Sequence, residues 1–120
     1  MKVSQLILNV NSPDPERLIG FYRDTVQLEP EGQMGPGAFK AGEAVFIIDG
    51  HSNVSGNANL PERVLIDFMV DDLEAEHARL AAAGVPVRRK MGREEWGGVI
   101  STFEDPDGNY FQLMEFKPQG

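Results

Sequence analysis

Apolar residues along this chain recur first at strand spacing, then at helix spacing, and the whole succession then repeats. Residues 3–10 (VSQLILNV) alternate weakly and carry β-prone Val3, Ile7 and Val10, which predicts a strand. NSPDPER follows, where Ser12 or Asp14 can cap a helix and Pro15 suits its first turn, which needs no N–H from it. Leu18, Phe21, Tyr22 and Thr25 share one helical face, so a short amphipathic helix is predicted over 15–25. Segment 31–42 (EGQMGPGAFKAG) holds four glycines and predicts turns around short strands. It lacks the Gly-Lys-Ser/Thr ending of a phosphate loop. AVFIID, 44–49, predicts another strand.

The polar stretch GHSNVSGNANLP, 50–61, reads as a linker, after which the pattern restarts. RVLIDFMV, 63–70, predicts a strand, and Asp71 or Asp72 predicts a helix cap with Glu74 at the positive end of the helix dipole. Leu73, His77, Leu80 and Ala81 share a face, and Gly84 with Pro86 ends the helix. VPVRR, GGVISTFE and NYFQLMEF predict three further strands. Val10 and Val70 end corresponding first strands 60 residues apart, half of the 120-residue chain. An internal duplication of βαβββ modules accounts for this. The expectation is one α+β domain, 1–120, with module one at about 1–49, the linker at 50–61 and module two at about 62–117.

Alternation then sorts the chemistry. Leu65, Asp67 and Met69 fall on one strand face, opposite Val64, Ile66, Phe68 and Val70, which are expected against the helix. Gln5, Ile7 and Asn9 are their equivalents in module one, and Tyr110, Gln112 and Met114 share a face of the last strand. An amide such as Gln112 on a buried or cavity-lining face needs a partner, in the protein or in a ligand. Asp67 can hold a cationic ligand, act as a base with a raised pKa, or form a salt bridge at a subunit interface. Trp96 can stack on a flat or cationic ligand or anchor packing at a dimer edge. His77 reads as a packed helix residue, and His51 as a loop residue able to swing over a pocket. The run Arg88-Arg89-Lys90 reads as a solvated basic stretch. Asp105-Pro106-Asp107-Gly108 has the composition of a turn and is assigned no chemistry.

Composition narrows the partners. Eleven basic against 19 acidic residues leave a net charge of −8, which opposes nucleic-acid binding and is compatible with a cationic small ligand. There is no cysteine, hence no disulfide or thiolate chemistry. No run reaches the ~18 apolar residues of a membrane span. The first residues, MKVSQLILNV, resemble a strand rather than a secretion signal, so a cytoplasmic protein is expected.

The duplicated βαβββ pattern, with LNVNSPDPERLIGFYRD, VDDLEAEHARLAAAGVPV and EEWGGVISTFEDPDGNYFQLMEF, resembles the vicinal oxygen chelate superfamily of glyoxalases, bleomycin-resistance proteins and extradiol dioxygenases. The resemblance implies mixed, curved sheets enclosing a cavity, helices outside, and a homodimer. It also implies a divalent metal in the enzymes. Their ligands are a His or Gln on the first strand, a His at the equivalent place in module two, and a Glu four residues after the glycine of DPDG. Those places hold Gln5, Leu65 and Gln112 here, and the end of module one offers Phe46 by analogy. Two amides and two apolar groups lack the imidazoles and carboxylates that catalytic metals favour. The expectation is therefore a small-molecule-binding member with no metal and no cofactor. Its ligand contacts are Gln5, Ile7, Asn9, Phe46, Leu65, Asp67, Met69, Trp96, Tyr110, Gln112 and Met114. The alternatives are a metal-dependent lyase or dioxygenase, and a metal-independent acid–base enzyme using Asp67.

Overall fold

The computed structural model describes residues 1–117. They fall into two compact units, Met1–Gly56 and from Asn57 onward. In the first unit the order is β1 (Ile7–Asn11), α1 (Pro15–Gly20), β2 (Glu29–Pro30), β3 (Ala38–Ala41) and β4 (Ala44–Asp49). Asp14 is the cap, its Oδ1 accepting from the Arg17 N–H at 3.3 Å, while Ser12 Oγ accepts from the Asp14 N–H at 3.0 Å. The expected helix over 15–25 is present, but α1 widens into π-type turns over Phe21–Val26. Gln27 then stops it with a left-handed φ of 67°. The four strands form a sheet in the order β1-β4-β3-β2, with β1 and β4 parallel. β1 starts at Ile7 rather than at 3, because β4 begins at Ala44 and the Gly42-Glu43 turn precedes it, leaving earlier residues no strand to pair with.

The second unit repeats the scheme. It contains β5 (Ile66–Met69), α2 (Leu73–Ala82), β6 (Val87–Arg93), β7 (Gly98–Glu104) and β8 (Tyr110–Phe116), in the sheet order β5-β8-β7-β6 with β5 and β8 parallel. In both units the first and last strands are therefore central-to-edge neighbours and parallel. The first strands keep the 60-residue offset, Ile7 answering to Asp67, while their partners Val45 and Gln112 lie further apart because the second unit has longer strands and loops between them. The strand expected from 63 begins only at Ile66, since Pro61–Arg63 form a 3₁₀ turn with proline at its start. Asp72 caps α2 by accepting from the Ala75 N–H at 3.1 Å, and Glu115 Oε1 on β8 accepts from the Leu73 N–H at 2.8 Å. Neither four-stranded sheet closes on itself, so an enclosed cavity is not a property of either unit alone.

Each core lies between a helix and one sheet face. In the first unit Leu18, Tyr22, Phe39, Phe46 and Ile48 are buried, with the Tyr22 and Phe46 rings 4.9 Å apart. In the second, Leu73 and Leu80 of α2 are buried with Ile66, Phe103, Phe111 and Leu113. Phe103 stacks on Phe111 at 5.6 Å, and His77 packs its ring 5.1 Å from Phe103, in keeping with a packed helix histidine. The turn after β7 is structural: Asp105 Oδ1 accepts from the N–H groups of Asp107 and Asn109, each at 2.9 Å. Gly108 supplies the φ of 80° that the turn requires.

Candidate functional site

On the second sheet, the face turned away from α2 carries a continuous polar rung. Asp67 pairs with Gln112, and Gln112 with Thr102, so these side chains stand abreast on β5, β8 and β7. Gln112 Nε2 donates to Thr102 Oγ1 at 2.8 Å, and both residues are buried. The amide of Gln112 thus finds a partner within its own sheet, Thr102. Thr102 was not foreseen from sequence, because STFE alternates and only the β7–β8 register tells which of Ser101 and Thr102 meets Gln112. Thr102 Oγ1 keeps a hydroxyl proton to donate, and the Gln112 amide oxygen is an acceptor.

Apolar side chains frame this rung. The next one joins Met69, Met114 and Ile100, and Tyr110 lies on the other side, paired with Glu104. Leu65 precedes β5 and is exposed. Of the expected grouping, the register sets Asp67, Met69, Tyr110, Gln112 and Met114 on one face, while Leu65 lies before the strand. Asp67 sits on the edge strand and makes no ion pair among the described residues. Partial burial pushes its carboxyl pKa up.

Trp96 lies in the β6–β7 connection with 53% of its surface exposed. Its indole covers Gly98 so closely that a Cβ there would collide with the ring. Part of the ring is thus a packing anchor and the rest is free to stack. Phe116, 58% exposed, lies against Gly97 beside it. The basic run is largely neutralised, Arg88 by Glu104 and Arg89 by Glu94.

In the first unit, Gln5 Nε2 donates to the Glu43 carbonyl at 3.3 Å. Asn9 Nδ2 donates to Asp49 Oδ2 at 2.8 Å, while its Oδ1 accepts from Asn11 Nδ2 at 2.9 Å. Ile7 is exposed beside them. Phe46 corrects the expectation: it is paired with Leu8 and packs on Tyr22, on the helix side. The strand position equivalent to Gln112 is Val45, one residue earlier. His51 Nδ1 accepts from the Asn53 N–H at 3.0 Å, which ties the ring into its own turn.

The places at which the resemblance expects metal ligands thus hold Gln5, Val45, Leu65 and Gln112. Two neutral amides, each already donating to the protein, and two aliphatic groups offset little of a divalent ion's dehydration cost. No group of three or more His, Asp or Glu residues gathers among the described residues. These residues do not fit the superfamily's metal.

None of the curated proteins compared matches the chain. Solved structures do. A member of the glyoxalase/bleomycin resistance protein/dioxygenase superfamily from Sphaerobacter thermophilus DSM 20745 is 19% identical, with a TM-score of 0.73 over 95% of this chain and 98% of that one. TioX from Micromonospora sp. ML1 is 13% identical, with a TM-score of 0.72 over 95% and 99%. These two show the shared fold. TnmS3, an antibiotic binding protein from Streptomyces sp. CB03234, is 26% identical, with a TM-score of 0.71 over 98% and 99%. The family model of the Glyoxalase/Bleomycin resistance protein/Dioxygenase superfamily matches residues 4–113, nearly the whole chain and both repeats, and to that superfamily the chain belongs.

Proposed function

We propose that the protein binds a small cationic, aromatic molecule on the open face of its second sheet, without a metal, and acts as a homodimer. The observation that carries the reading is the rung Asp67–Gln112–Thr102 set among Leu65, Met69, Tyr110 and Met114. Asp67 supplies a carboxylate with no protein cation beside it, Gln112 an acceptor, and the apolar side chains a surface for a flat ring. Methionine suits such a surface because its unbranched side chain adapts to different shapes. The exposed part of Trp96 adds a stacking plane for a cation. The net charge of −8 favours the approach of a cation. The likeness to TnmS3 supports a binding rather than a chemical role. Exposed Ile7, Leu65 and Met69 offer apolar surface for a second copy to cover.

Isothermal titration with a panel of planar cationic drugs tests the reading. Saturable binding is expected, weakened about tenfold or more in Asp67→Asn, the loss of one charge-assisted contact. No binding across the panel at high micromolar concentration overturns it. One observation favours a second reading: the upward shift of the Asp67 pKa suits a general base in a metal-independent enzyme. Turnover that vanishes in Asp67→Asn while the fold persists would select that reading.

A further inference from the structure

We propose that the second unit also carries a site for a small monocarboxylic acid, in the pocket between the 3₁₀ turn and the DPDG turn. This pocket, about 460 Å³, is lined by Asn59, Leu60, Pro61, Arg63, Val64 and Asn109 among others, none of them part of the Asp67 face. Its volume falls within the ~300–1,000 Å³ of small-molecule sites.

The key is Arg63. The chain has 19 acidic and 11 basic residues, Arg63 is exposed, and the other described arginines have protein partners. Arg23 pairs with Asp24, Arg79 with Glu76, Arg88 with Glu104 and Arg89 with Glu94, while Arg93 donates to the Lys117 carbonyl. Arg17 is engaged as well. Among the described arginines, Arg63 alone keeps its guanidinium without a partner, and it does so at the wall of a pocket.

The walls around it are built. The Arg63 N–H donates to the Leu60 carbonyl at 3.0 Å, closing the turn that Pro61 begins. The Ala58 N–H donates to the Asp107 carbonyl at 2.9 Å, and Asn109 Nδ2 to Asp105 Oδ2 at 3.0 Å, so the polypeptide on both sides of the pocket is fixed to the buried Asp105 turn. Leu60 and Val64 are 63% and 60% exposed and, with Pro61, form an apolar wall beside the charge. Asn59 and Asn109 complete the lining.

A planar guanidinium matches the two oxygens of a carboxylate, and the apolar wall matches a compact aliphatic or aryl body attached to it. Glu62 follows Pro61 directly, and the whole chain is anionic, so a dianion such as a phosphate monoester meets more repulsion than a monocarboxylate.

Hexanoate, titrated into ¹⁵N-labelled protein and followed by two-dimensional NMR, is the probe. Saturable shifts are expected at Asn59, Leu60, Arg63, Val64 and Asn109. Arg63→Gln should weaken binding about tenfold, the loss of a charge-assisted pair. Hexanamide, which keeps the shape without the charge, should lose as much, and Arg63→Lys should retain part of the affinity. Asp67→Asn should leave hexanoate binding unchanged, which separates this site from the cation face. Absence of saturable shifts at these five residues overturns the proposal. So does equal binding of hexanoate and hexanamide, or a set of shifts centred on Asp67 and Gln112.

Discussion

Asp67 shows how one residue proposed to bind a ligand can oppose stability. Its carboxyl is held above the ordinary range by partial burial. A carboxyl whose native pKa exceeds its unfolded value binds its proton more tightly in the fold, so the group favours folding at low pH. That contribution is lost as pH rises from the unfolded value of about 3.9 through the raised native one. Asp67→Asn is therefore expected to raise stability at pH 7 by under about 1 kcal/mol, because solvent reaches the group, and to change little below about pH 3. Urea unfolding at the two pH values measures it. A bound cation favours the ionised form, so affinity for a cationic ligand should fall as pH drops through the same carboxyl's titration. Asp67 and Gln112 were legible in the sequence as polar residues on the strand face turned away from the helix. Thr102 was not, because its role depends on a register ten residues across a hairpin.

Elements are joined here by side chains that cross from sheet to helix. Glu115, on β8, accepts from the first N–H of α2 at 2.8 Å, and its other oxygen lies 3.7 Å from Lys117 Nζ. A helix N-terminus leaves its first N–H groups without intrahelical partners, and an anion there also meets the positive end of the helix dipole. Glu115→Ala is expected to cost about 1 kcal/mol in urea unfolding, with far-UV helical signal reduced little, since Asp72 still caps Ala75. The sequence showed Asp72 as a cap because capping is local. It did not show Glu115, which lies 42 residues away. Phe46 illustrates the same limit. AVFIID is apolar on both faces, so its own pattern does not tell which residues face the helix, and an error of one position turns a side chain through the sheet. The pairing of Ile7 with Val45 settles it.

At the scale of the molecule, the duplication is the organising fact. Both units run strand, helix, three strands, and both place the last strand parallel to the first. The expected chelating places lie just before the first strand of each unit, at Gln5 and Leu65, and on the last strand, at Val45 and Gln112. Protein purified without chelator and equilibrated with Zn²⁺, Ni²⁺, Mn²⁺ or Fe²⁺ is expected to retain well under one ion per chain. A stoichiometric ion lost in Gln5→Ala would restore the metal-dependent reading. Sedimentation equilibrium is expected to return twice the 13.2 kDa of one chain, and a monomer at all concentrations would refute the dimer.

What this sequence determined by itself was local and periodic: strand and helix spacing, the caps at Asp14 and Asp72, the DPDG turn, the 60-residue repeat, and the shared strand face of Asp67 and Met69. Neighbouring residues decide these features, because backbone geometry sets the period of a strand or helix. The tertiary structure decided which distant groups meet: Thr102 with Gln112, Glu115 with the start of α2, Phe46 with Tyr22, and Arg63 with no charged partner among the described residues. Each depends on how strands far apart in the chain are paired and on where charges find partners after folding, and the spacing along the chain does not encode that.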